Sequence, residues 1–504
     1  MLPIRKMPIG IQDFEDLRVN GYVYVDKTAY LYRMVTMGKP YFLSRPRRFG
    51  KSLFLSTLKA YFLGKKELFE GLAIAELEKE WTEYPVFYVD LNEEGFTDIH
   101  SLHAALNTNL KRLEDTWGKD ERDATPASRL SGLIRRACEK SGRKVVVLVD
   151  EYDKPLVSTL DKADVNSAMR DALKGFYGVL KSADAYLRFV MLTGVTKFSK
   201  VSVFSDLNQL MDISMDKQYN GICGISESEL IAEFQPEIAA LADETGKSYG
   251  DVLAELKKRY DGYHFCENTE GMYNPFSLLN TFSKRKFKNY WFETGTPTFL
   301  AEMLKNVNFG IDNLENDVKI SMQNIFDYRV GTDNPLPLLY QSGYLTVKGY
   351  DAQLDEYVLG FPNGEVKYGF YNELLPVYMP GKDVFSEFYA AKFVKDLLDG
   401  DVDGFMNRLC AFFADIPYDL NNKEEKHYQT VFFIFFRLMG QFVKVEPHSS
   451  TGRADAVVVT PDAVYAFEFK LSERASARAA LRQIDKKGYL KPYAASGKKL
   501  VKVG

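Results

Sequence analysis

The sequence lacks the features that mark secreted, disulfide-stabilised and membrane-spanning proteins. Its four cysteines are far apart and form no CxxC pair, so neither a disulfide framework nor a thiolate zinc site is predicted. The longest apolar run, Val431 to Phe436, is far too short to cross a bilayer. The N-terminal segment MLPIRKMPIG contains no apolar core of a signal peptide. We therefore expect a reduced, cytoplasmic protein with no membrane partner.

Histidine is also scarce, with five residues in the chain. His100 and His103 could share a helix face, but no third zinc ligand stands nearby, and we interpret both as surface residues. His427 has no serine or cysteine partner that would complete a catalytic triad. Histidine-based zinc or triad chemistry is therefore not predicted.

Length and composition indicate an ordinary globular protein with two or three domains. The chain has 504 residues, of which 46% are hydrophobic and 27% charged. Its net charge of −4 does not by itself indicate a nucleic-acid-binding protein. From Lys470 to Lys502, however, ten lysines and arginines face only Glu473 and Asp485. This local excess of positive charge predicts a surface to which a phosphodiester could bind, although a solvated helix face would show the same pattern.

The N-terminal half alternates short apolar runs with longer segments that suit helices. Two such helical segments are Leu53–Leu63 and Ala127–Lys140. The predicted strands are Gly21–Val25, Tyr41–Leu43, Val86–Val89, Val145–Val149 and Arg188–Leu192. The alternation predicts an α/β fold with a mainly parallel sheet.

A candidate phosphate-binding loop follows the second of these strands. The segment SRPRRFGKS ends in Gly50, Lys51 and Ser52, where backbone amides at a strand-to-helix turn would surround phosphate. Lys51 would contact the β- and γ-phosphates of ATP, and the Ser52 hydroxyl would ligate Mg²⁺. Arg45 stands where the first glycine of the GxxxxGK[ST] pattern is expected, and a GKS tripeptide by itself is more often a chance turn. Because Arg45 would alter how closely the backbone approaches phosphate, ATP hydrolysis is less supported than ATP binding.

Polar residues also stand at the C-terminal ends of the two later strands. Asp150 and Glu151 follow an apolar run in the Walker B manner, so Asp150 would hold Mg²⁺ through water and Glu151 would polarise the attacking water. Thr193, near the end of the next strand, is a candidate sensor of the nucleotide. Lys197 or Lys200 could reach the nucleotide of a neighbouring subunit in a homo-oligomer, although surface lysines are usually only solvated.

The middle of the chain is predicted to be helical. Helical spacing covers Glu227–Thr245 and Tyr249–Tyr260, and Pro275 is expected in the first turn of another helix. A further helical region is predicted to begin near Pro380.

The most informative segment lies near the C-terminus and reads GRADAVVVTPDAVYAFEFK. Asp455 precedes Glu468 by thirteen residues, and Lys470 follows two residues later on the same strand face. If the turn centres on Pro461 and Asp462, Asp455 lies opposite Glu468 with Cβ atoms about 5 Å apart, although the register could slip by one residue. Two facing carboxylates repel unless a cation lies between them, so the segment predicts a site for a hard metal ion. A buried Asp–Lys–Glu ion network is the alternative, but it leaves a net negative cluster.

These residues carry a resemblance to a known family. The D-x(n)-E-x-K spacing resembles the PD-(D/E)XK nuclease core. The longer segment that runs from EKHYQ through GRAD and EFK to RQI resembles a bacterial group of proteins. In that group, an AAA-ATPase-like domain precedes such a nuclease domain. The resemblance covers almost the whole chain, including RPRRFGKS. It implies that Asp455, Glu468 and the Phe469 carbonyl bind Mg²⁺ or Mn²⁺. It further implies that Glu425 is an additional metal-linked acid and that Gln483 is a polar accessory residue.

We therefore expect three parts: a P-loop ATPase-like domain (1–217), a helical and winged-helix-like connector (218–380), and a restriction-endonuclease-like α/β domain (381–504). The expected function is hydrolysis of DNA by a metal-dependent nuclease that ATP regulates. The alternative is a nucleotide-switched protein that binds DNA or another protein without cutting, as a defence or mobile-element factor.

Overall fold

The structure is a computed structural model, and the residues described in it are 5–92, 95–197, 209–294, 304, 314, 318–326, 334–378, 387–414, 425–440, 444–447, 455–470 and 476–504. The chain forms two compact units. The first comprises residues 1–294 and 317–365, and the second comprises residues 295–316 and 366–504. The predicted domain boundaries at 217 and 380 remain predictions, and Pro380 lies outside the described residues.

A five-stranded parallel sheet forms the centre of the first unit, as the α/β pattern predicted. Its strands stand in the order β2-β3-β4-β1-β5. They are β1 (Pro40–Ser44), β2 (Val86–Asp90), β3 (Val145–Asp150), β4 (Leu187–Gly194) and β5 (Met211–Asp212). Every residue of β3 is buried, as expected for a strand covered on both faces. Because β4 lies between β1 and β3, the ends of all three strands meet at one sheet edge.

The predicted strand at Gly21–Val25 is wrong. Among the described residues, this segment makes only an isolated bridge between Tyr22 and Lys6. Val23 and Val25 instead pack against a helical core. Strand propensity is weak where side chains find a packing partner without a sheet, and here the tertiary contacts decide.

Helices connect the strands of the central sheet. They are α1 (Phe14–Val19), α2 (Thr28–Met37), α3 (Lys51–Phe62), α4 (Ala73–Leu77), α5 (Ile99–Trp117), α6 (Pro126–Ser141), α7 (Lys154–Val157) and α8 (Ala163–Ser182). Their starts are set locally. Asp98 with Ser101, and Thr125 with Ser128, form capping boxes that satisfy the first N–H groups of α5 and α6.

Helices and two small sheets complete the first unit. The helices are α9 (Glu227–Glu233), α10 (Gln235–Thr245), α11 (Tyr249–Tyr260), α12 (Pro275–Lys284) and α13 (Leu336–Gln341). The strands are β6 (Ile225–Ser226) with β7 (Met272–Tyr273), and an antiparallel sheet of β8 (Val318–Ser321), β10 (Glu356–Gly360) and β9 (Thr346–Asp351) in that order. The single helix predicted over Glu227–Thr245 divides at Phe234, because Pro236 has no N–H with which to continue the preceding helix.

The second unit combines helices with a four-stranded sheet. Its helices are α14 (Gly364–Tyr378, which begins in the first unit), α15 (Glu387–Leu398), α16 (Val402–Ala414), α17 (Glu425–Met439) and α18 (Ala477–Lys487). Its strands are β11 (Lys444–Pro447), β12 (Ala456–Val459), β13 (Ala463–Phe467) and β14 (Lys499–Val503), in the order β11-β12-β13-β14. The C-terminal strand β14 lies at an edge of the described sheet, parallel to β13.

Aromatic side chains fix the hairpin of β12 and β13 against the helices of this unit. The ring of Phe467 lies 5.1 Å from that of Phe405 and 5.2 Å from that of Phe436. The Tyr465 hydroxyl donates to the Leu397 carbonyl over 2.7 Å. The end of β13, where the candidate carboxylates begin, is therefore held by packing on two helices. Among the described residues, no helix combines the length and the apolar character needed to span a bilayer.

Candidate functional site

The β12–β13 hairpin aligns the two candidate metal-binding carboxylates. Its pairs run from Val459–Val464 to Ala456–Phe467, with Pro461 and Asp462 at the turn. The next pair in this register is Asp455 with Glu468, so the predicted alignment is confirmed and the one-residue slip is excluded. The Asp455 N–H donates to the Phe467 carbonyl over 3.0 Å, and the Phe469 N–H donates to Asp455 Oδ2 over 2.6 Å.

Glu468 is buried, and its two carboxylate oxygens differ in their hydrogen-bond partners. The residue is 2% exposed. Oε1 accepts from Lys470 Nζ and from Gln483 Nε2, each over 2.5 Å. Oε2 is buried and has no hydrogen-bond partner among the described residues. A buried carboxylate oxygen without a donor is costly unless a cation neutralises it.

Lys470 is held as a cation beside this carboxylate. Burial acts to lower the pKa of Lys470, but the hydrogen bond to Glu468 and the charges of Glu468 and Asp455 outweigh it and raise that pKa above its ordinary value. An amine with a raised pKa stays protonated at neutral pH. Lys470 is therefore suited to donating hydrogen bonds that orient a ligand and to stabilising negative charge. It is unsuited to acting as a general base.

Sequence reasoning missed Tyr489, which belongs to the same network. The Gln483 amide donates both to Glu468 and to the Tyr489 hydroxyl, the latter over 3.3 Å. Burial, together with the charges of Glu468 and Asp455, raises the pKa of Tyr489, so the hydroxyl stays protonated. The only signal in the sequence was its position six residues after Gln483, immediately beyond Gly488, which ends α18 in a left-handed conformation.

The described carboxylates fit a hard cation. Within the described residues, no group of three or more histidine, cysteine or acidic side chains forms a metal cluster. Asp455 and Glu468 supply two carboxylates, and the unpartnered Glu468 Oε2 gives a ligand atom to an ion that also uses carbonyl or water oxygens. Glu425 begins α17, but its side chain lies outside the described residues, as do Gly452, Arg453 and Ala454.

The candidate phosphate loop lies between β1 and α3 as predicted. Gly50 adopts a left-handed conformation with φ of 94° and directly precedes α3, which begins at Lys51 and contains Ser52 in its first turn. The Lys51 ammonium donates to the carbonyls of Arg45 over 2.9 Å and Pro46 over 3.1 Å. Burial lowers the pKa of Lys51, and the charges of Glu151 and Asp150 oppose that shift. The first N–H groups of α3 and the Lys51 ammonium thus lie at the turn that the sequence predicts to bind phosphate.

Acidic and hydroxyl groups from β2, β3 and β4 meet beside this loop. The Thr193 hydroxyl donates to Asp150 Oδ1 over 2.8 Å, and the Tyr88 hydroxyl donates to Asp150 Oδ2 over 3.4 Å. Glu151 has the left-handed φ of 48°, which is rare outside glycine and is often found at functional sites. Burial raises the pKa of Glu151, although Lys51 pulls it down. The structure thus brings together Lys51, Asp150, Glu151 and Thr193.

Asp153 is a second residue that sequence reasoning missed. It is 1% exposed and accepts hydrogen bonds from the N–H groups of Val195 and Thr196, and from the Thr196 hydroxyl at 2.6 Å. Burial raises its pKa. These hydrogen bonds join the segment after β3 to the end of β4. The signal in the sequence for this role of Asp153 was a third acidic residue, three positions after Asp150.

Two other predicted residues have structural partners. Arg45 is buried, and its guanidinium lies 4.0 Å from the centre of the Phe265 ring. Lys197 forms an ion pair with Asp212. Lys200 lies outside the described residues.

Comparison with known proteins matches an N-terminal and a C-terminal segment of the chain to families. Residues 8–204 match the family described as Predicted AAA-ATPase, and residues 423–504 match the PD-(D/E)XK nuclease superfamily. A protein of Azotobacter chroococcum mcd 1, named "Uncharacterized protein in vnfD 5'region", is 39% identical over 99% of this chain and 96% of its own length. A solved structure of the Aeropyrum pernix ORC2 protein (ADPNP-ADP complexes) aligns with 67% of this chain and 87% of its own at 11% identity, with a TM-score of 0.24 that is too low to support an argument.

Proposed function

The chain belongs to the family of predicted AAA-ATPases that carry a C-terminal PD-(D/E)XK nuclease superfamily domain, and from that membership we propose that it is a metal-dependent DNA nuclease regulated by ATP. One observation carries the nuclease half of this proposal. Glu468 is buried beside Asp455 with one carboxylate oxygen unpartnered among the described residues, which suits a divalent cation.

Asp455, Glu468 and the Phe469 carbonyl would hold Mg²⁺, with Mn²⁺ as an alternative, and Glu425 would contact the ion through water. When bound, the ion supplies Lewis-acid polarisation of the scissile phosphate. Gln483 and Lys470 both donate to Glu468 Oε1, which leaves Oε2 as the oxygen that would bind the ion. Lys470, kept protonated by its acidic neighbours, orients the attacking water and stabilises the charge that develops at phosphorus.

The surface next to these carboxylates supports DNA as the partner. Helix α18 carries Gln483 and also the exposed residues Arg478, Arg482 and Lys486, which recur every fourth residue and therefore follow one helix face. A row of cations beside a metal-binding site is suited to tracking a phosphodiester backbone. A cytoplasmic location belongs to this proposal.

The ATP-binding half of the proposal rests on the contacts around the phosphate loop. Lys51 and the amides from Gly50 to Ser52 would bind the phosphates, and Ser52 and Asp150 would hold Mg²⁺. Thr193 fixes the Asp150 carboxylate by a hydrogen bond and is suited to sensing the γ-phosphate. Glu151, next to Asp150, would polarise water if ATP is hydrolysed.

The test compares cleavage of plasmid and single-stranded DNA with Mg²⁺ or Mn²⁺ by wild type, Asp455→Asn and Glu468→Gln. Asp462→Asn is the matched control, because this exposed carboxylate lies at the turn of the same hairpin. We expect each site variant to lose about 100-fold or more in rate, and the control to cleave like wild type. Calorimetric titration with Mn²⁺ should show a site that Glu468→Gln abolishes.

Equal cleavage by all four proteins would disprove the assignment of this site. Tight DNA binding without cleavage under either metal would instead support a nucleotide-switched binding protein, a defence or mobile-element factor among them.

A further inference from the structure

The turn at residues 150–153, where β3 ends, has a strained backbone. Glu151, the acid that we assign to polarising water, adopts a left-handed φ of 48°. This conformation is unfavourable for a residue with a Cβ atom, and it persists only where the surrounding structure enforces it. The contacts of the next two residues along the chain supply that restraint.

Tyr152 joins the turn to the end of β4 at two points. Its N–H donates to the Thr193 carbonyl over 3.0 Å, and its hydroxyl donates to the Thr196 carbonyl over 2.8 Å. Its ring is fully buried. A Cβ atom on Gly194 would lie 2.7 Å from this ring and closer still to Asp153 Oδ1. The turn and the end of β4 therefore approach as closely as a glycine at this position allows.

Asp153 adds a third attachment through a buried carboxylate. It is 1% exposed, and it accepts from the Thr196 N–H and hydroxyl, each over 2.6 Å, and from the Val195 N–H over 3.1 Å. Within the described part of the chain, no lysine or arginine forms an ion pair with it. Its charge acts on Lys51 and Glu151. Burying a carboxylate without a cationic partner costs stability, so packing alone does not account for it.

The end of β4 also fixes the candidate metal-binding acid of the ATP site. The Thr193 hydroxyl donates to Asp150 Oδ1 over 2.8 Å, and the Glu151 N–H donates to the same oxygen over 3.0 Å. Residues 150–153 are thus joined to residues 193–196 on both sides of Glu151. The backbone of Glu151 cannot leave its left-handed conformation while these contacts hold.

We infer that Asp153 is a positioning residue for ATP hydrolysis, because its hydrogen bonds to the end of β4 hold Glu151 where it polarises the attacking water. The inference rests on the proposed ATP-binding function and extends it to the chemical step. In that step the water oxygen bonds to the γ-phosphorus, and its proton passes to the Glu151 carboxylate and then to solvent. The bond from the γ-phosphorus to the bridging oxygen breaks, releasing ADP and phosphate. Weakening the hydrogen bonds of Asp153 leaves the phosphate contacts of Lys51 and Ser52 in place, so the rate falls and ATP affinity does not.

The test measures steady-state ATP hydrolysis with Mg²⁺, and the Kd for ATP by titration, for the full chain as wild type, Asp153→Asn and Thr196→Val. Asp153→Asn turns one acceptor oxygen into an NH2 donor that faces the donors of Val195 and Thr196. Thr196→Val removes one hydroxyl donor and keeps the carboxylate, so it preserves the test if Asp153→Asn does not fold. Glu114→Gln is the matched control, because it makes the same carboxylate-to-amide change at a buried residue bonded to Arg129.

We expect kcat to fall about 10-fold or more in Asp153→Asn, and by a smaller factor in Thr196→Val. The Kd for ATP should stay within about 3-fold of wild type in both variants, and Glu114→Gln should keep the wild-type kcat.

Other results would overturn this role of Asp153. A wild-type kcat in Asp153→Asn and Thr196→Val with a lowered Tm, or an equal loss of kcat in Glu114→Gln, would make Asp153 a structural residue. A weaker Kd with unchanged kcat would place its effect on ATP binding and not on Glu151. If wild type bound ATP but hydrolysed it no faster than Glu151→Gln, hydrolysis and this role would both fail, while the proposed ATP binding and nuclease activity would stand.

Discussion

At the scale of single residues, the candidate metal site depends on how buried charges are compensated. Glu468 is buried with one oxygen bonded to Lys470 and Gln483 and the other unpartnered among the described residues. The spacing of Asp455, Glu468 and Lys470 was enough to predict which residues face one another. The burial of Glu468 and the difference between its two oxygens were not predictable, because they depend on how α18 packs over the hairpin.

Lys470 is expected to act as a cation throughout the neutral range. Because its folded pKa is raised, its pairing with Glu468 stabilises the fold fully below the pKa of the unfolded chain, about 10.4, and is lost only as pH rises through the higher folded value. The pH dependence of cleavage should therefore show no ionisation of Lys470 in the neutral range. Lys470→Arg should retain part of the rate and Lys470→Gln should lose it, as a pH–rate profile of the three proteins would measure. A neutral-pH ionisation that disappears in Lys470→Arg would contradict this role.

Gly50 is expected to be needed for its backbone conformation alone. An added Cβ would meet no atom within 4 Å, but the φ of 94° strains any other residue. Gly50→Ala should therefore lower the free energy of unfolding by about 1–2 kcal/mol and weaken ATP binding. Gly175→Ala, the control, lies exposed within α8 with open space around it and should stabilise the protein by about 0.5–1 kcal/mol. Denaturant unfolding and ATP titration measure both, and equal effects of the two substitutions would disprove the conformational argument.

At the scale of helices and strands, prediction succeeded where one physical rule dominates. The uniformly apolar run at Val145–Val149 indicates a central strand, and it is β3. Prediction of secondary structure failed where tertiary packing competes with strand propensity, as at Gly21–Val25. It also failed where one proline divides a helix, as at Pro236. Tyr489 could not be predicted to join the carboxylate site, because its contact with Gln483 depends on the turn that ends α18.

Helix α18 is expected to supply the phosphate contacts for DNA. Replacing Arg478, Arg482 and Lys486 with glutamine should weaken binding of a catalytically inactive Glu468→Gln protein to DNA of any sequence. The slope of log K against log salt concentration should become shallower by about 2 to 3, since each lost contact removes about 0.9. The control removes three exposed lysines of the first unit, Lys66, Lys111 and Lys119, with the same change in net charge. If both triple variants change the slope equally, the effect is one of total charge and α18 is not the DNA-binding element.

At the scale of the whole molecule, the candidate nucleotide residues and the candidate metal-binding carboxylates belong to different compact units. The family and the α/β class were predictable because both depend on short motifs that keep their order along the chain. Whether the two sites communicate depends on a difference between nucleotide states, which neither the motifs nor one conformation contains. We propose that ATP controls the nuclease through the segment between Lys217 and Pro380.

The most direct test measures the rate of DNA cleavage with no nucleotide, ADP, ATP and a non-hydrolysable ATP analogue, for wild type, Lys51→Ala and Glu468→Gln. Loss of the Lys51 ammonium removes a charge-assisted contact to phosphate, worth about 1.5–3 kcal/mol or roughly 10–100-fold in ATP affinity. We expect that nucleotide changes the wild-type rate of DNA cleavage, that Lys51→Ala cleaves at one rate in all four conditions, and that Glu468→Gln cleaves in none. Identical wild-type rates in all four conditions, with ATP binding verified by titration, would contradict this expectation.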